Sequence, residues 1–356
     1  MFSKTKMVVV GAAVAASLSL SACGVDSTSS SAGSPGSAGS AGSGSKALKV
    51  GWSTIYLTPS WMQQTQKLLN DRVGQLKSSG DVDSYKEFNA NGDTSQQLAQ
   101  IRSMVQQKYD VILVDAGSSD ALNVVLEDAV AAGITVVNFD SLVSTDKVVR
   151  VGTDQAKWGE MLATWLVKQL GGKGDVIAFN GPAGVAVSED RWKGAKKVFD
   201  ANPGIKVVSN INSEYNIAPA AQTFTAAYAA HQNVDGVFAQ GGALAAAALQ
   251  TIIKQNGKLI PVTGENYNGF LKMWQAQKPK GFSSLATAQP NYLAIIALDA
   301  GVKKAHGETV PQNIDVPLPS ITDDNLQQWV KTSQPDDYYP ITVPPQSELD
   351  ALISKG

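Results

Sequence analysis

At 356 residues, 43% hydrophobic and 17% charged, the chain is long enough for two domains with sizeable cores and has the composition of an ordinary globular protein. Its formal net charge of -2 offers no basic field for nucleic acid. A single cysteine, Cys23, excludes an internal disulfide, and with only His231 and His306 beside it a Cys/His metal site is excluded in practice, while an oxygen-only calcium site stays open.

Lys4 and Lys6 precede an apolar run, Met7 to Leu20, of signal-peptide length and too short for a comfortable membrane span. Leu20-Ser21-Ala22-Cys23-Gly24 follows and resembles a bacterial lipobox, which implies removal of residues 1–22 and lipidation of Cys23. The rest of segment 23–46 is almost entirely Ser, Gly and Ala, which buries no core and reads as a tether. No later stretch is long enough for an uninterrupted apolar span. The expectation is an extracytoplasmic body held at the cell membrane by its lipid alone.

From Lys49 the pattern alternates. Lys49 to Ser53 reads as a strand and Ser60 to Leu76 as a helix with one apolar face. A strand near Tyr85 to Phe88 and a helix capped at Asp93-Thr94-Ser95 follow, running to Gln107. Val111 to Asp115 is a short apolar strand; Ser118 or Ser119 caps a helix over Ala121 to Ala132 that Gly133 ends. Next come the strands Ile134 to Asp140 and Val148 to Thr153, then a helix headed by Asp154. After the break Gly171-Gly172-Lys173-Gly174 the alternation restarts, with strands at 175–180, 205–210, 236–239, 259–263 and 283–287. Helices are expected at 189–201, 218–230, 243–254, 267–275 and 291–306, and a last short one at 348–353 capped by Ser347. Alternation of this kind indicates parallel sheets with right-handed crossovers, here in two similar α/β halves split near residue 154.

The organising stretch is Val136-Val137-Asn138-Phe139-Asp140-Ser141, a buried strand ending on a carboxylate. In open α/β sheets ligands bind at the carboxyl ends of strands. Five other apolar runs end in polar tips, so six tips are expected to converge on one cleft.

Several of these tips together resemble the type I periplasmic binding proteins that feed sugar transporters, the ribose-binding group in particular. The matching features are Thr58-Pro59-Ser60-Trp61 after the first strand, Val111 to Asp120, Ile134 to Asp140, Gly181-Pro182-Ala183-Gly184, Val237-Phe238-Ala239-Gln240 and Val262 to Asn266. The resemblance implies two doubly wound, Rossmann-like lobes joined by three crossings, near residues 154, 288 and 318. One lobe would be 47–153 plus 289–317; the other would be 154–288 plus 318–356. Ligand would bind between them and favour the closed state.

The same resemblance supplies site residues. Asp140 would accept hydrogen bonds from neighbouring hydroxyls, and Trp61, beside Ser60, would pack on a sugar face. Tyr215 would form an aromatic wall on the other lobe, with Asn216 beside it. Asp115 would bond a hydroxyl or cap its own loop. Asn266 aligns with a ligand carboxylate of the family, leaving Glu265 to point away. Gln240 precedes Gly241-Gly242, which offer backbone or leave room for a larger ligand. A family glutamine aligns with Ala288, with Gln289 one residue off. Two family arginines are replaced, by Ser141 and Glu189, while Arg191 is free to face outward. An acceptor-rich pocket would suit a polyol or an amine and tells against plain ribose.

No enzyme reading competes. There is no Gly-x-Ser-x-Gly elbow, two distant histidines form no triad, and neither glycine cluster frames a phosphate loop. Glu189 and Asp140 are a weak match to a glycosidase acid pair. The expectation is a monomeric, non-enzymatic, cofactor-free receptor that delivers a small carbohydrate to an ABC permease, or one that presents its closed form to a membrane sensor.

Overall fold

The computed structural model describes residues 46–355. The segments read from the sequence as a signal peptide, a lipidated Cys23 and a tether, up to residue 45, lie outside them.

The first sheet is built from β1 (Leu48–Thr54), β2 (Val82–Asn89), β3 (Val111–Asp115), β4 (Thr135–Phe139) and β5 (Val149–Gly152), in the order β5-β4-β3-β1-β2 and parallel throughout. Every residue of β3 is buried, as a parallel strand covered on both faces requires. The crossover helices are α1 (Ser60–Ser79), α2 (Thr94–Gln106) and α3 (Asn123–Ala131). Asp93 caps α2 by accepting from the backbone N–H groups of Ser95 and Gln96.

The second half holds α4 (Gln155–Gln169), β6 (Gly174–Asn180), α5 (Ala186–Asp200), β7 (Ile205–Asn212), α6 (Ile217–Ala230), β8 (Gly236–Ala239) and α7 (Gly242–Lys254). Its sheet runs β7-β6-β8, also parallel. The strand expected over Leu259 to Thr263 is reduced to one bridge, Val262 to Val237, followed by the two-residue β9 (Gly264–Glu265). Pro261 has no N–H to donate, so only its carbonyl joins the ladder, accepting from Val237 N. After α8 (Asn268–Gln277), β10 (Ala286–Thr287) pairs with β9 and is likewise shorter than its apolar run.

The chain then returns to the first sheet. α9 (Leu293–Ala305) packs on β3 and β4, and β11 (Asn313–Asp315) adds itself beside β5. At three residues, β11 is too short to announce itself in the sequence. A short α10 (Leu326–Trp329) packs on α8. α11 (Gln346–Lys355) starts before Ser347, with Pro345 O accepting from Glu348 and Leu349, so Ser347 lies inside the first turn and is not the cap.

α11 sits on α9 and β11, beside the first sheet. Buried Asp299 of α9 receives both Arg72 Nε of α1 and Gln346 Nε2 of α11 at 2.8 Å. This end of the tail therefore packs with the first half, whereas the sequence reading assigns all of 318–356 to the second. The helix's few apolar residues say that it docks but not where.

Candidate functional site

The carboxyl ends of β1, β3 and β4 face the loops after β6, β7 and β9 across one cavity, lined among others by Tyr56, Trp61, Asp115, Asp140, Arg191 and Glu265.

On the first wall, Asp115 ends β3. Thr54 Oγ1 donates to its Oδ2 at 3.0 Å, and Gln97 Nε2 to its backbone carbonyl at 2.7 Å. Asp140 follows β4 with φ +62°, a left-handed conformation that Asp tolerates better than most side chains. Asn138 holds that turn. Its Nδ2 donates to Val114 O and Ser141 O, and its Oδ1 accepts from Val143 N at 2.8 Å. A polar residue interrupting the apolar run Val136 to Phe139 was the available signal for this role. Ser141 lines the cavity, and its buried hydroxyl has no partner among the described residues. Trp61 donates Nε1 to Gln289 O at 3.0 Å, which fixes the indole against the second crossing and leaves it lining the cavity.

On the opposite wall, Arg191 turns inward and not outward; it is 3% exposed. Its Nε donates to Gln155 Oε1 at 2.7 Å, a terminal nitrogen donates to Gln240 O at 3.0 Å, and the guanidinium lies 3.7 Å from the Trp158 ring centroid. This depends on α4 and α5 touching backbone to backbone. A Cβ on Gly159 would stand 1.8 Å from Arg191 O, and one on Gly194 1.9 Å from Ala156 O.

Tyr215 also lines the cavity and donates to Gln240 Oε1 at 3.2 Å. Gln240 is fully buried behind it, bonded through Nε2 to Asn180, and does not line the cavity. The bareness of Gly241-Gly242 is used by the protein itself. A Cβ on Gly241 would meet the Tyr215 ring at 2.9 Å, and one on Gly242 would meet Tyr267 Cβ at 2.3 Å. Of the two alternatives read from the sequence, backbone or room for a larger ligand, the pair provides backbone, with Gly242 N donating to Glu265.

Glu265 and Asn266 exchange the roles read from the sequence. Glu265 lines the cavity, accepting from Gly242 N at 3.0 Å, while Asn266 donates to Pro340 O at 2.7 Å, away from the cavity. Successive residues of a strand face opposite ways, so only one of them can face the ligand. Glu189 does not reach the cavity either. It is exposed and accepts from Gly184 N at 2.9 Å, closing its own loop. Ser60 is half-buried at the start of α1, outside the lining, and Asn216 lies with Glu214 on an outer opening of the cleft.

Gln289, and not Ala288, lines the cavity. Its Nε2 donates to Asp140 Oδ1, and its Oε1 accepts from Thr153 Oγ1 at 2.8 Å and from Gln155 Nε2. Asp140, Gln289, Gln155 and Arg191 thus form one chain of hydrogen bonds joining both walls through two of the crossings. Gln155, Tyr56 and Tyr339 were missed in the sequence because each sits in a loop, a helix start or a tail without periodicity.

Burial raises all three carboxyl pKa values. Asp140 is pushed up to about 7, with Arg191 opposing the shift. Asp115 is pushed up by burial and then by the charge of Asp140, while the hydrogen bond from Thr54 holds it back. Glu265 is raised by burial and held back by Arg191 and by the backbone N–H of Gly242. An acid whose folded pKa is raised stabilises the fold below its unfolded pKa, near 4, and loses that contribution as pH climbs to about 7. The difference in stability between wild type and Asp140→Asn, followed by urea unfolding, is therefore expected to shift against wild type between pH 4 and pH 7 and to level off above. A pH-independent difference would contradict the burial of an ionisable Asp140.

Among the described residues no three His, Cys, Asp or Glu side chains stand together as a metal site, and no helix is long and apolar enough to cross a membrane. The cavity offers carboxylate acceptors, one forked cation, tyrosine hydroxyls and an indole. Such a set recognises a compact molecule rich in hydroxyls, because carboxylates accept from neighbouring O–H groups while the aromatic surface covers C–H faces.

The family model for the periplasmic binding protein domain matches residues 50–309, and the chain belongs to that family. Its relatives include the ribose import binding protein of Bacillus subtilis, 27% identical over 230 residues, covering 64% of this chain and 74% of that protein. The xylitol-binding protein of Mycolicibacterium smegmatis is 27% identical over 259 residues, covering 69% and 72%. The solved structure of an ABC transporter solute binding protein from Thermobispora bispora aligns with a TM-score of 0.77 at 23% identity, covering 86% of this chain and 95% of that one. The fold is accordingly that of the type I periplasmic binding proteins.

Proposed function

We propose that the protein captures a small neutral carbohydrate, a sugar or sugar alcohol, between its two lobes and delivers it to an ABC permease. The observation that carries this reading is the cavity between the sheets, where Asp140 and Glu265 oppose Arg191 beside Trp61. Its relatives support it through their names, a ribose import protein and a xylitol-binding protein, and structural neighbours were solved with D-allose and myo-inositol bound. Three carboxyl groups around one guanidinium disfavour acidic sugars and sugar phosphates.

In this reading the first lobe is 47–153 plus 289–317 together with α11, and the second is 154–288 plus the tail up to the Pro345 region. The chain then crosses between lobes a fourth time near Pro340. Cys23 anchors the protein through lipid; Cys23→Ser is expected to move it from the membrane to the soluble fraction, and unchanged membrane retention would remove the anchor.

Thermal unfolding against pentoses, hexoses, sugar alcohols, sugar acids and polyamines tests the ligand class. A ligand at about 100 times its dissociation constant adds roughly 2.7 kcal/mol, or ~4 °C for a body of this size. A shift with a neutral sugar or polyol supports the proposal. A shift with a polyamine alone would make the cavity a cation site, and a shift with sugar acids alone would contradict the charge argument.

A further inference from the structure

The family match ends at residue 309, yet one lining residue of the cavity, Tyr339, comes from well beyond it. We propose that the C-terminal tail is part of the ligand-recognition surface, with Tyr339 a specificity-determining residue that closes one end of the cavity. This rests on the cavity's being the ligand site.

Tyr339 is 2% exposed, lines the cavity, and meets Tyr267 edge-on, with ring centroids 5.5 Å apart and planes at 78°. Among the described residues its hydroxyl makes no hydrogen bond. That hydroxyl is not among the buried unpartnered atoms of the described residues, so it opens onto the cavity, where a bound group can complete it. A carbohydrate hydroxyl is the chemical partner that would do so.

The backbone around Tyr339 is fixed from both sides of the cleft. Gln64 of α1 takes both of its polar groups, donating to Tyr339 O at 2.8 Å and accepting from Tyr339 N at 3.0 Å. From the other half, Asn266 donates to Pro340 O, and Asn268 N donates to Tyr338 O at 2.8 Å. Asn268 also gathers the preceding stretch, donating to the carbonyls of Lys331, Gln334 and Pro335 and accepting from Lys331 N. α11 then docks on α9. A loose tail would not be held at four backbone groups around one aromatic ring. The tail passes from the second half to the first where its ring meets the cavity, so the ring's position reports how the two walls stand. The size and shape of ligand that fits between them is set partly by this ring.

The test is calorimetric titration of wild type, Tyr339→Phe and Tyr339→Ala with D-ribose, xylitol and myo-inositol. Tyr339→Phe keeps the ring and is expected to bind five- to tenfold more weakly, with ligand-free melting unchanged. Tyr339→Ala opens the end of the cavity, and myo-inositol is expected to gain at least tenfold relative to the smaller xylitol. Wild-type affinities and wild-type rank order in both variants would overturn the proposal.

A second readout needs no sugar. In a Cys23→Ser background, Tyr339→Cys carries the only thiol of the chain. A small methanethiosulfonate is expected to label it through the cavity, and a maleimide on a large polymer is not. Equal labelling by both, or by neither, would overturn the placement. If wild type binds none of the three sugars, the carbohydrate reading fails for them while the labelling result still decides the position of Tyr339.

Discussion

Asp140→Asn is expected to weaken carbohydrate binding about 100-fold while leaving the protein folded. A hydrogen bond to a charged acceptor is worth ~1.5–3 kcal/mol, and a carboxylate facing two neighbouring hydroxyls loses about 3 kcal/mol when it becomes an amide. Asn is the informative substitution because position 140 has φ +62°, where Asn is tolerated and Ala would add strain. The variant also removes a carboxyl that burial already pushes to about 7, so the ligand-free protein should not lose stability at neutral pH. Calorimetric titration with the sugar that raises the melting temperature of wild type reads the effect. Unchanged affinity would mean that Asp140 faces the cavity without touching ligand.

Arg191→Met is the second large effect, and it falls on the fold as well as on the ligand. Met keeps much of the volume and removes three interactions: the bond to Gln155, the bond to Gln240 O, and the contact over Trp158. Gln155 would lose the donor that orients it toward Gln289, so the chain of bonds between the walls would break at its second-lobe end. Removing one member of a buried polar network leaves the others unsatisfied, at about 3 kcal/mol. Asp140 and Glu265 would also lose the cation that opposes their upward shifts. The loss should therefore be larger at pH 8 than at pH 5, and urea unfolding at the two pH values measures it. A variant as stable as wild type at both would show that Arg191 is not integral to the wall.

Strand ends were legible in the sequence because parallel strands covered on both faces are short continuous apolar runs with a polar residue after each. Val111 to Asp115 and Val136 to Asp140 are such runs, and both carboxylates reach the cavity. Direction was harder to read. Glu265 and Asn266 are neighbours, and only the pairing of β9 with β10 decides which faces inward. Arg191 gave no sign of burial, because an arginine on a helix is ordinarily a solvated surface residue; what buries it is the contact of α4 with α5 at Gly159 and Gly194. Tyr339 stands among prolines and aspartates, where nothing periodic marks a residue as part of a site. Long-range packing placed it there, through Gln64 and Asn266.

The most direct measurement is a diffraction structure of the protein with the neutral sugar or polyol that shifts its melting temperature. The account predicts density between the lobes, with hydroxyls within hydrogen-bond distance of Asp140, Glu265 and Arg191 and a C–H face against Trp61. Density confined to the outer opening near Asn216, or anywhere else on the surface, with the inner cavity unfilled, would contradict it.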